Sequence, residues 1–423
     1  MLQVNLIRKQ KDWVLERLAV KNFPEPGLVD RILELDDQRK SLQTASEKLL
    51  ARRNAASKEI GALMGQGKKE EAEARKKEVA DLKAQLDQIE KDLNAAESQL
   101  QENLVRLPNL PSEKVPKGKT PEDNEVVRTG GEIPELPKDA VPHWDLIKKY
   151  NIVDFEAGVK ITGSGFPLFK GQGAKLQRAL VSYFLDFNTE AGYKEVIPPY
   201  MVNEATAYGT GQLPDKEGQM YYMPADNFYM IPTAEVPVTN IYRDEILKES
   251  ELPVMLTAHS PCFRREAGSF GKDVRGLNRV HQFDKVEIVQ LVHPSRSCDI
   301  LEEMVLHVEK LVQSLGLPYR ILRLCGGDMS FASALTYDFE VFSAAQERWL
   351  EVSSVSNFES FQTNRMKIRF KDADGRTQLV HSLNGSSMAL PRIIAAILEN
   401  FQTPDGIMIP PVLIPYFGSE RIS

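Results

Sequence analysis

Cysteine is scarce in this 423-residue chain: Cys262, Cys298 and Cys325 are the only three, and none lies near another. There is no CxxC pair and no Cys/His cluster, which argues against a zinc site or a disulfide framework and fits a reduced, cytoplasmic setting. Long apolar runs are missing too. None approaches the ~18–20 residues that span a bilayer, so no membrane partner is expected. The opening stretch, MLQVNLIRKQKDW, lacks the apolar core of a secretion signal. A surplus of positive charge is absent, with 53 Lys and Arg against 60 Asp and Glu and a net charge of −7. Holding nucleic acid by overall charge is thereby excluded, and only a local basic patch is left open. Neither a P-loop nor a GxGxxG opening a helix occurs, so ATP would not be held in a glycine-rich phosphate cradle. The remaining composition, 42% hydrophobic and 27% charged, is that of a globular protein large enough for two or three domains.

Proline is absent from residues 28–107, where Ala, Leu, Lys, Glu and Gln dominate. Leu28, Leu35, Leu42, Leu49, Ala56 and Leu63 recur every seven residues, with Ile32 and Ile60 beside them. After Gly65-Gln66-Gly67, a second series runs through Val79, Leu82, Leu86, Ile89, Leu93, Ala96, Leu100 and Leu107. Steps of three and four are those of a coiled-coil seam. The pattern predicts an antiparallel helical hairpin over about 27–107, turning near 64–69, each helix of about 36 residues reaching roughly 55 Å. Such an arm could be a spacer or a dimerisation element. Its basic zones (Arg39, Lys40, Lys48, Arg52, Arg53 and Lys58, then Lys68, Lys69, Arg75, Lys76 and Lys77) could instead meet phosphates in shape recognition of RNA.

Residues 111–142 are rich in proline and read as an extended connector, so the expected domains are 1–110, the connector, and 143–423. From 143 onward helix and strand patterns mix. A helix is predicted over Ala174–Ala191, a short strand ending at Pro198-Pro199, a hairpin turning at 224–227, a helix over 298–315 and one entered near Leu390-Pro391. Three further strands are expected in 350–385, with a turn at Asp372–Gly375. The predicted fold class is α+β: a long coiled-coil hairpin followed by a domain built on an antiparallel sheet flanked by helices.

The richest stretch is HSPCFRREAGSFGKDVRGLNRVHQFDKVEIVQ, 259–290. Arg264 and Glu266 stand two apart, so an extended strand would present both on one face. A charged loop follows, with Gly268, Gly271, Lys272, Arg275, Gly276 and Arg279, and Phe283 and Glu287 lie on the return strand. Arginine forks bind phosphate, an aromatic face stacks a base and carboxylates hold an amine, which together suit ATP and an amino acid. The alternative is a surface hairpin whose charges pair in solvent. Three more groups could complete a site: Thr233-Ala234-Glu235; Glu351 with Val352, Ser353 and Ser354, whose oxygens suit Mg²⁺; and Asn384-Gly385-Ser386 with Arg392. Each also has an ordinary structural reading, as a helix cap, a strand surface or an ion pair.

Taken together, the words GTGQLP (209–214), PTAEVP (232–237), CFRREAG (262–268), HQFDKVE (281–287), EVSSVSN (351–357) and LNGSSMALPR (383–392) resemble the bacterial-type seryl-tRNA synthetases, which are class II aminoacyl-tRNA synthetases. The likeness runs from the arm to PPVLIPYFG near the end. Only Gly385 remains of the glycine-rich third motif of the wider class. The resemblance implies a serine–tRNA ligase using ATP and Mg²⁺, with no zinc. In that reading Arg264 meets the α-phosphate, with Arg265 and Glu266 beside it; Phe283 and Arg392 flank adenine, or Arg392 lies near the γ-phosphate; and Arg279 meets the outer phosphates. Glu351 and Ser354 hold Mg²⁺, and Val352 and Ser353 lie along the nucleotide. Catalysis is ascribed to Arg264, Glu266 and Arg392. Thr233, Ala234, Glu235, Glu266, Glu287, Asn384 and Ser386 surround L-serine. The arm takes tRNA(Ser), and tRNA(Sec) where one exists, and a homodimer forms through the region near Pro198. Rival readings are a synthetase-like protein that charges a carrier protein, an inactive scaffold and a coiled-coil adaptor. The basic hairpin disfavours the first, and retention of Arg264, Glu266, Glu287 and Arg392 disfavours the others.

Overall fold

The computed structural model describes residues 1–215, 217–266 and 275–423. Gly268, Gly271 and Lys272 of the charged loop lie outside the described residues. Two compact units are present. The first comprises Met1–Ala19 and Phe23–Pro108, and the second Val20–Asn22 and Asn109–Ser423.

In the first unit, α1 (Val4–Lys9) and α2 (Lys11–Val20) precede two long helices, α3 (Leu28–Gly65) and α4 (Lys69–Leu104). Gly67, at φ +77°, lets the chain reverse between them. Along the seam, Leu82, Leu86, Leu100 and the small Ala56, Ala72 and Ala96 are buried. Leu42, Leu49 and Leu63 are only half-buried, because two helices cover just one side of a leucine. Part of the basic charge is used within the arm. Arg52 pairs with Glu78 at 2.7 Å and Arg75 with Glu59 at 2.9 Å.

The base of the arm is tied by Asp36, whose side chain is 3% exposed. Its carboxylate takes Arg8 at 2.9 Å, Arg39 at 2.9 Å and Lys40 at 2.7 Å. Arg39 and Lys40 of the first basic zone thus also pair within the arm. Burial pushes the carboxyl pKa up, but hydrogen bonds from Lys40, Arg39 and Arg8 outweigh it and bring it down to about 2.

The second unit is built on an eight-stranded sheet. Its strands are β1 (Glu125–Gly130), β2 (Lys194–Glu195), β3 (Val254–Phe263), β4 (Gln282–Val292), β5 (Tyr319–Arg323), β6 (Leu335–Ser343), β7 (Arg348–Glu359) and β8 (His381–Ala389). The order is β1-β5-β6-β7-β8-β4-β3-β2, antiparallel except for the β3–β2 pairing. The proline-rich stretch, expected to be only a connector, supplies edge strand β1. Its neighbours Leu110 and Val115 are buried.

Alternation along β4 separates two jobs. Val286, Ile288 and Val292 enter the main core with α6 (Gln172–Glu190), α8 (Ser297–Ser314) and α9 (Leu390–Asn400). On the other face, Val289 packs with Ala234, Val238, Leu256 and Ala258. Glu287 shares that second face. Smaller elements agree with the sequence reading: Tyr222–Met223 pairs with Phe228–Met230, and Arg369–Lys371 pairs with Thr377–Leu379 across the Asp372–Gly375 turn.

Replacing Asp36 by Ala leaves three cations facing one another around a dry position. A loss of about 3 kcal/mol is expected in urea unfolding of the first unit at pH 7. Because the folded pKa is depressed, this stabilisation is present above about pH 4 and fades as pH falls toward 2. Equal stability of wild type and variant at pH 7 would contradict it.

Candidate active site

One cavity of about 630 Å³ opens on the face of the sheet that carries Glu287. Three adjacent strands form its floor, and their register decides what meets there. Glu287 on β4 stands opposite Ser386 on β8, and Ser356 on β7 stands opposite Asn384 on β8. Gly385 leaves room for Val355, whose side chain a Cβ would meet at 3.0 Å. The expected residues Thr233, Glu235, Arg264, Glu266, Arg279, Phe283, Glu287, Glu351, Val352, Ser353, Ser354, Asn384, Ser386 and Arg392 all line this cavity.

Two expected residues do not. Ala234 is fully buried in the apolar cluster with Val238, Leu256, Ala258 and Val289, on the same face of the sheet. Arg265 turns away, its Nε donating to the Met220 carbonyl at 3.0 Å and its guanidinium 4.8 Å from the Tyr221 ring centroid. The premise that Arg264 and Glu266 share a strand face is also corrected. Strand β3 ends at Phe263, the Arg265 N–H donates to the Gln219 carbonyl at 2.9 Å, and Glu266 has φ +50°. Arg264 still pairs with the return chain, its N–H donating to the His281 carbonyl at 2.9 Å, and the chain departs only from Arg265, so the two side chains reach the cavity without sharing a pleat.

One end of the cavity is carboxylate-rich. Glu287 is 2% exposed, and Lys285 Nζ lies 2.5 Å from its Oε2. Thr233 Oγ1 donates to the same oxygen at 3.3 Å and accepts the Glu235 N–H at 3.2 Å. Ala234 and not Thr233 occupies the cap position of the helix Glu235–Thr239, and Thr233 lines the cavity. Gln362 Nε2 donates to Glu235 Oε1 at 2.6 Å, and Ser382 Oγ holds the Gln362 carbonyl at 2.8 Å. Burial, and then the neighbouring Glu287, push the Glu235 carboxyl up to about 7. Anionic and half-neutralised, this end suits a small ammonium-bearing molecule with a hydroxyl.

The other end is arginine-rich. The Arg264 guanidinium sits 5.3 Å from the Phe283 ring centroid, and its Nε donates to the Pro232 carbonyl. Arg279 pairs with Glu266 at 2.9 Å. Arg392 donates through Nε to the Asn278 carbonyl at 3.0 Å and through Nη1 to the Glu351 carbonyl at 2.7 Å. Three guanidiniums aimed by carbonyls and a carboxylate present forks to an anion beside an aromatic face.

Two residues were missed in the sequence. Lys285 stands two before Glu287 on one strand, a spacing that could have revealed it. Asp338 had no local signal. It is brought opposite Ser354 by the β6–β7 register, and its Oδ1 is shielded from solvent without a hydrogen-bond partner. Burial, with Glu351 nearby, raises its carboxyl well above the usual range. With Glu351 and the Ser354 hydroxyl it makes an oxygen donor set of the kind Mg²⁺ prefers. Among the described residues, no three of His, Cys, Asp and Glu gather as they would around a metal ion.

Comparison with known proteins agrees along the full length. The family described as seryl-tRNA synthetase N-terminal domain matches residues 1–111, and that described as tRNA synthetase class II core domain (G, H, P, S and T) matches 221–401. A serine–tRNA ligase of Salinibacter ruber is 50% identical over 424 residues, covering 100% of this chain and 99% of that protein. One of Methylacidiphilum infernorum is 48% identical, covering 100% of each. A crystal structure of seryl-tRNA synthetase from Pyrococcus horikoshii complexed with ATP superposes with a TM-score of 0.92 at 33% identity, covering 100% of this chain and 99% of that one.

The raised pKa of Glu235 sets a pH signature. Relative to an unfolded carboxyl near 4.5, its ionisation opposes folding increasingly as pH rises toward 7 and by a constant amount, roughly 3 kcal/mol, above it. Glu235→Gln lacks this term. Its unfolding midpoint should therefore gain on wild type between pH 5 and pH 8, and two parallel curves would contradict the assignment.

Proposed function

The chain belongs to the seryl-tRNA synthetase family, and from that premise we propose that it joins L-serine to tRNA(Ser) at the expense of ATP, in the cavity described. The observation that carries the reading is the adjacency, in one cavity, of the Glu287–Lys285–Thr233 end and the Arg264–Phe283–Arg392 end. Serine lies at the first with its ammonium and hydroxyl toward Glu287, Thr233 and Ser386. Its carboxylate points toward Arg264. ATP lies at the second, its base against Phe283 and its phosphates along Arg264, Arg279 and Arg392.

In the first step a serine carboxylate oxygen attacks the α-phosphorus. The bond from that phosphorus to the β-bridging oxygen breaks, and pyrophosphate leaves with the electron pair. Positioning and charge neutralisation suffice for such a displacement, with no proton to be moved by a base. Arg264 neutralises charge growing on the α-phosphoryl oxygens, and Arg279 that on the leaving pyrophosphate. Glu351, Ser354 and the buried Asp338 oxygen fit Mg²⁺, which when bound would neutralise phosphate charge. In the second step a terminal ribose hydroxyl of the tRNA attacks the serine carbonyl carbon and AMP leaves. Alanine is rejected because the buried partners of the serine hydroxyl would stay unpaired, which is the easier discrimination. Threonine must be refused by the tight wall around Ser386.

The two-helix unit takes the tRNA, tRNA(Sec) included where it exists. Exposed Lys48, Lys58, Lys69 and Lys77 on α3 and α4 support phosphate contact there. Ile197, 80% exposed beside Pro198, and Met201, 52% exposed, support a second copy as the partner near Pro198. Among the described residues no helix is long and apolar enough to cross a membrane. A cytoplasmic setting goes with this function.

Replacing residues 44–90 by a short turn keeps the Asp36 cluster and removes the outer arm. Serine-dependent ATP–pyrophosphate exchange should stay within about threefold of wild type, while charging of tRNA(Ser) falls at least a hundredfold. Undiminished charging would remove the arm from the mechanism, and absence of serine-dependent exchange in the intact protein would remove the function itself.

A further inference from the structure

His143, at the start of α5 (His143–Lys149), has no exposed surface. Both of its ring nitrogens are engaged. Nδ1 lies 2.7 Å from Glu399 Oε1, and Nε2 accepts the Leu277 N–H at 2.9 Å. Accepting at Nε2 puts the ring proton on Nδ1, donated to the Glu399 carboxylate. The backbone N–H of His143 donates to that same carboxylate oxygen at 2.9 Å. The chain at Gly276 runs directly over the ring. A Cβ there would meet Nε2 at 2.2 Å, at φ +66°.

A second strut stands beside the first. Gln346 Nε2 donates to Glu399 Oε1 at 2.9 Å, and Gln346 Oε1 accepts from Asn278 Nδ2 at 3.0 Å. The Asn278 carbonyl in turn takes the Arg392 Nε. Next door, the Arg275 guanidinium rests 4.5 Å from the Trp144 ring centroid. Glu399 on α9 is thus the anchor, His143 and Gln346 are the struts, and residues 276–279 are what they hold. Leu277, Asn278 and Arg279 line the cavity, whereas His143 and Gln346 do not.

We propose that His143, seconded by Gln346, is a positioning residue for the ATP end of the cavity: it fixes the backbone of 276–279 so that Arg279 and, through Asn278, Arg392 are preset for the triphosphate. Ordering a backbone segment costs conformational entropy, and this network meets that cost before ATP arrives. Among the described residues the carboxylate-rich end of Glu287, Glu235 and Thr233 shares no hydrogen bond with it, so ATP and serine should respond differently. The inference rests on placing the triphosphate at Arg264, Arg279 and Arg392.

The test measures KM for ATP and for serine in pyrophosphate exchange, with the full-length protein. His143→Asn keeps an amide at the reach of Nδ1 but cannot reach Leu277, whereas His143→Gln carries its amide at the reach of Nε2. The Asn variant should raise the KM for ATP about tenfold and leave that for serine within about twofold, and the Gln variant should recover most of the loss. Asn and Gln variants that behave alike, or ATP and serine constants that move together, overturn the proposal. Should the Asn variant not fold, Gln346→Ala should still raise the KM for ATP about threefold, and an unchanged value overturns the proposal. Arg264→Ala separates the two levels. If it leaves the KM for ATP and the exchange rate unchanged, the site assignment fails. If it weakens ATP use and His143→Asn does not, only the positioning role fails.

Discussion

Everything at the carboxylate-rich end of the cavity depends on a buried carboxylate that cannot stand alone. Glu287 is 2% exposed, and a second acid, Glu235, is buried in the same cavity. Burial of Glu235, and then repulsion by Glu287, push its carboxyl up to about 7. The arrangement is tolerable because Lys285, two residues back on the same strand face, gives Glu287 a counter-charge at 2.5 Å. Thr233 and Gln362 supply neutral donors. This end of the cavity is thereby organised for positive charge. The strand register makes this possible. A slip of one residue on β4 would send Glu287 into the apolar core and Val286 or Ile288 into the cavity.

The arginine-rich end uses the opposite strategy. Long cationic side chains are entropically costly to hold still, and each one here is steered by an oxygen: Arg264 by the Pro232 carbonyl, Arg279 by Glu266, Arg392 by the carbonyls of Asn278 and Glu351. Such partners orient a guanidinium while leaving N–H groups for a phosphate. The floor underneath is hydrogen-bonded sheet, but residues 275–279 are not strand. Their order comes from Glu399 through His143 and Gln346, so the two ends of the cavity have different structural supports.

How much was legible in the sequence follows the range of the interactions. Heptad spacing, the helices and most strands of the second unit were readable, because periodicity is local. So was the roll of side chains on the cavity wall, although the reason given for Arg264 and Glu266 was wrong. A strand was assumed to continue through them, while the Arg265 N–H instead finds the Gln219 carbonyl and the chain leaves the ladder. That Arg39 and Lys40 also pair with Asp36, three and four residues back, was not read from the sequence, because nothing local showed that Asp36 would be buried. Lys285 carried a local signal, the i and i+2 pattern shared with Glu287. Asp338 and the His143–Glu399 pair did not, since their partners arrive through sheet register or from 256 residues away. Within the proline-rich stretch, composition correctly suggested an extended chain but could not say that part of it would join a sheet edge.

The central claim is that the face of β4 carrying Lys285 and Glu287 receives serine while Arg264, just past the end of β3, receives the α-phosphate. A crystal structure with a non-hydrolysable seryl-adenylate analogue tests it most directly. The account predicts the ammonium or hydroxyl of the seryl group within hydrogen-bond distance of the Glu287 carboxylate, the phosphate-mimicking group on the Arg264 guanidinium, and the adenine against Phe283. An analogue bound with its seryl group away from Glu287, or with no contact between Arg264 and the phosphate position, would contradict it.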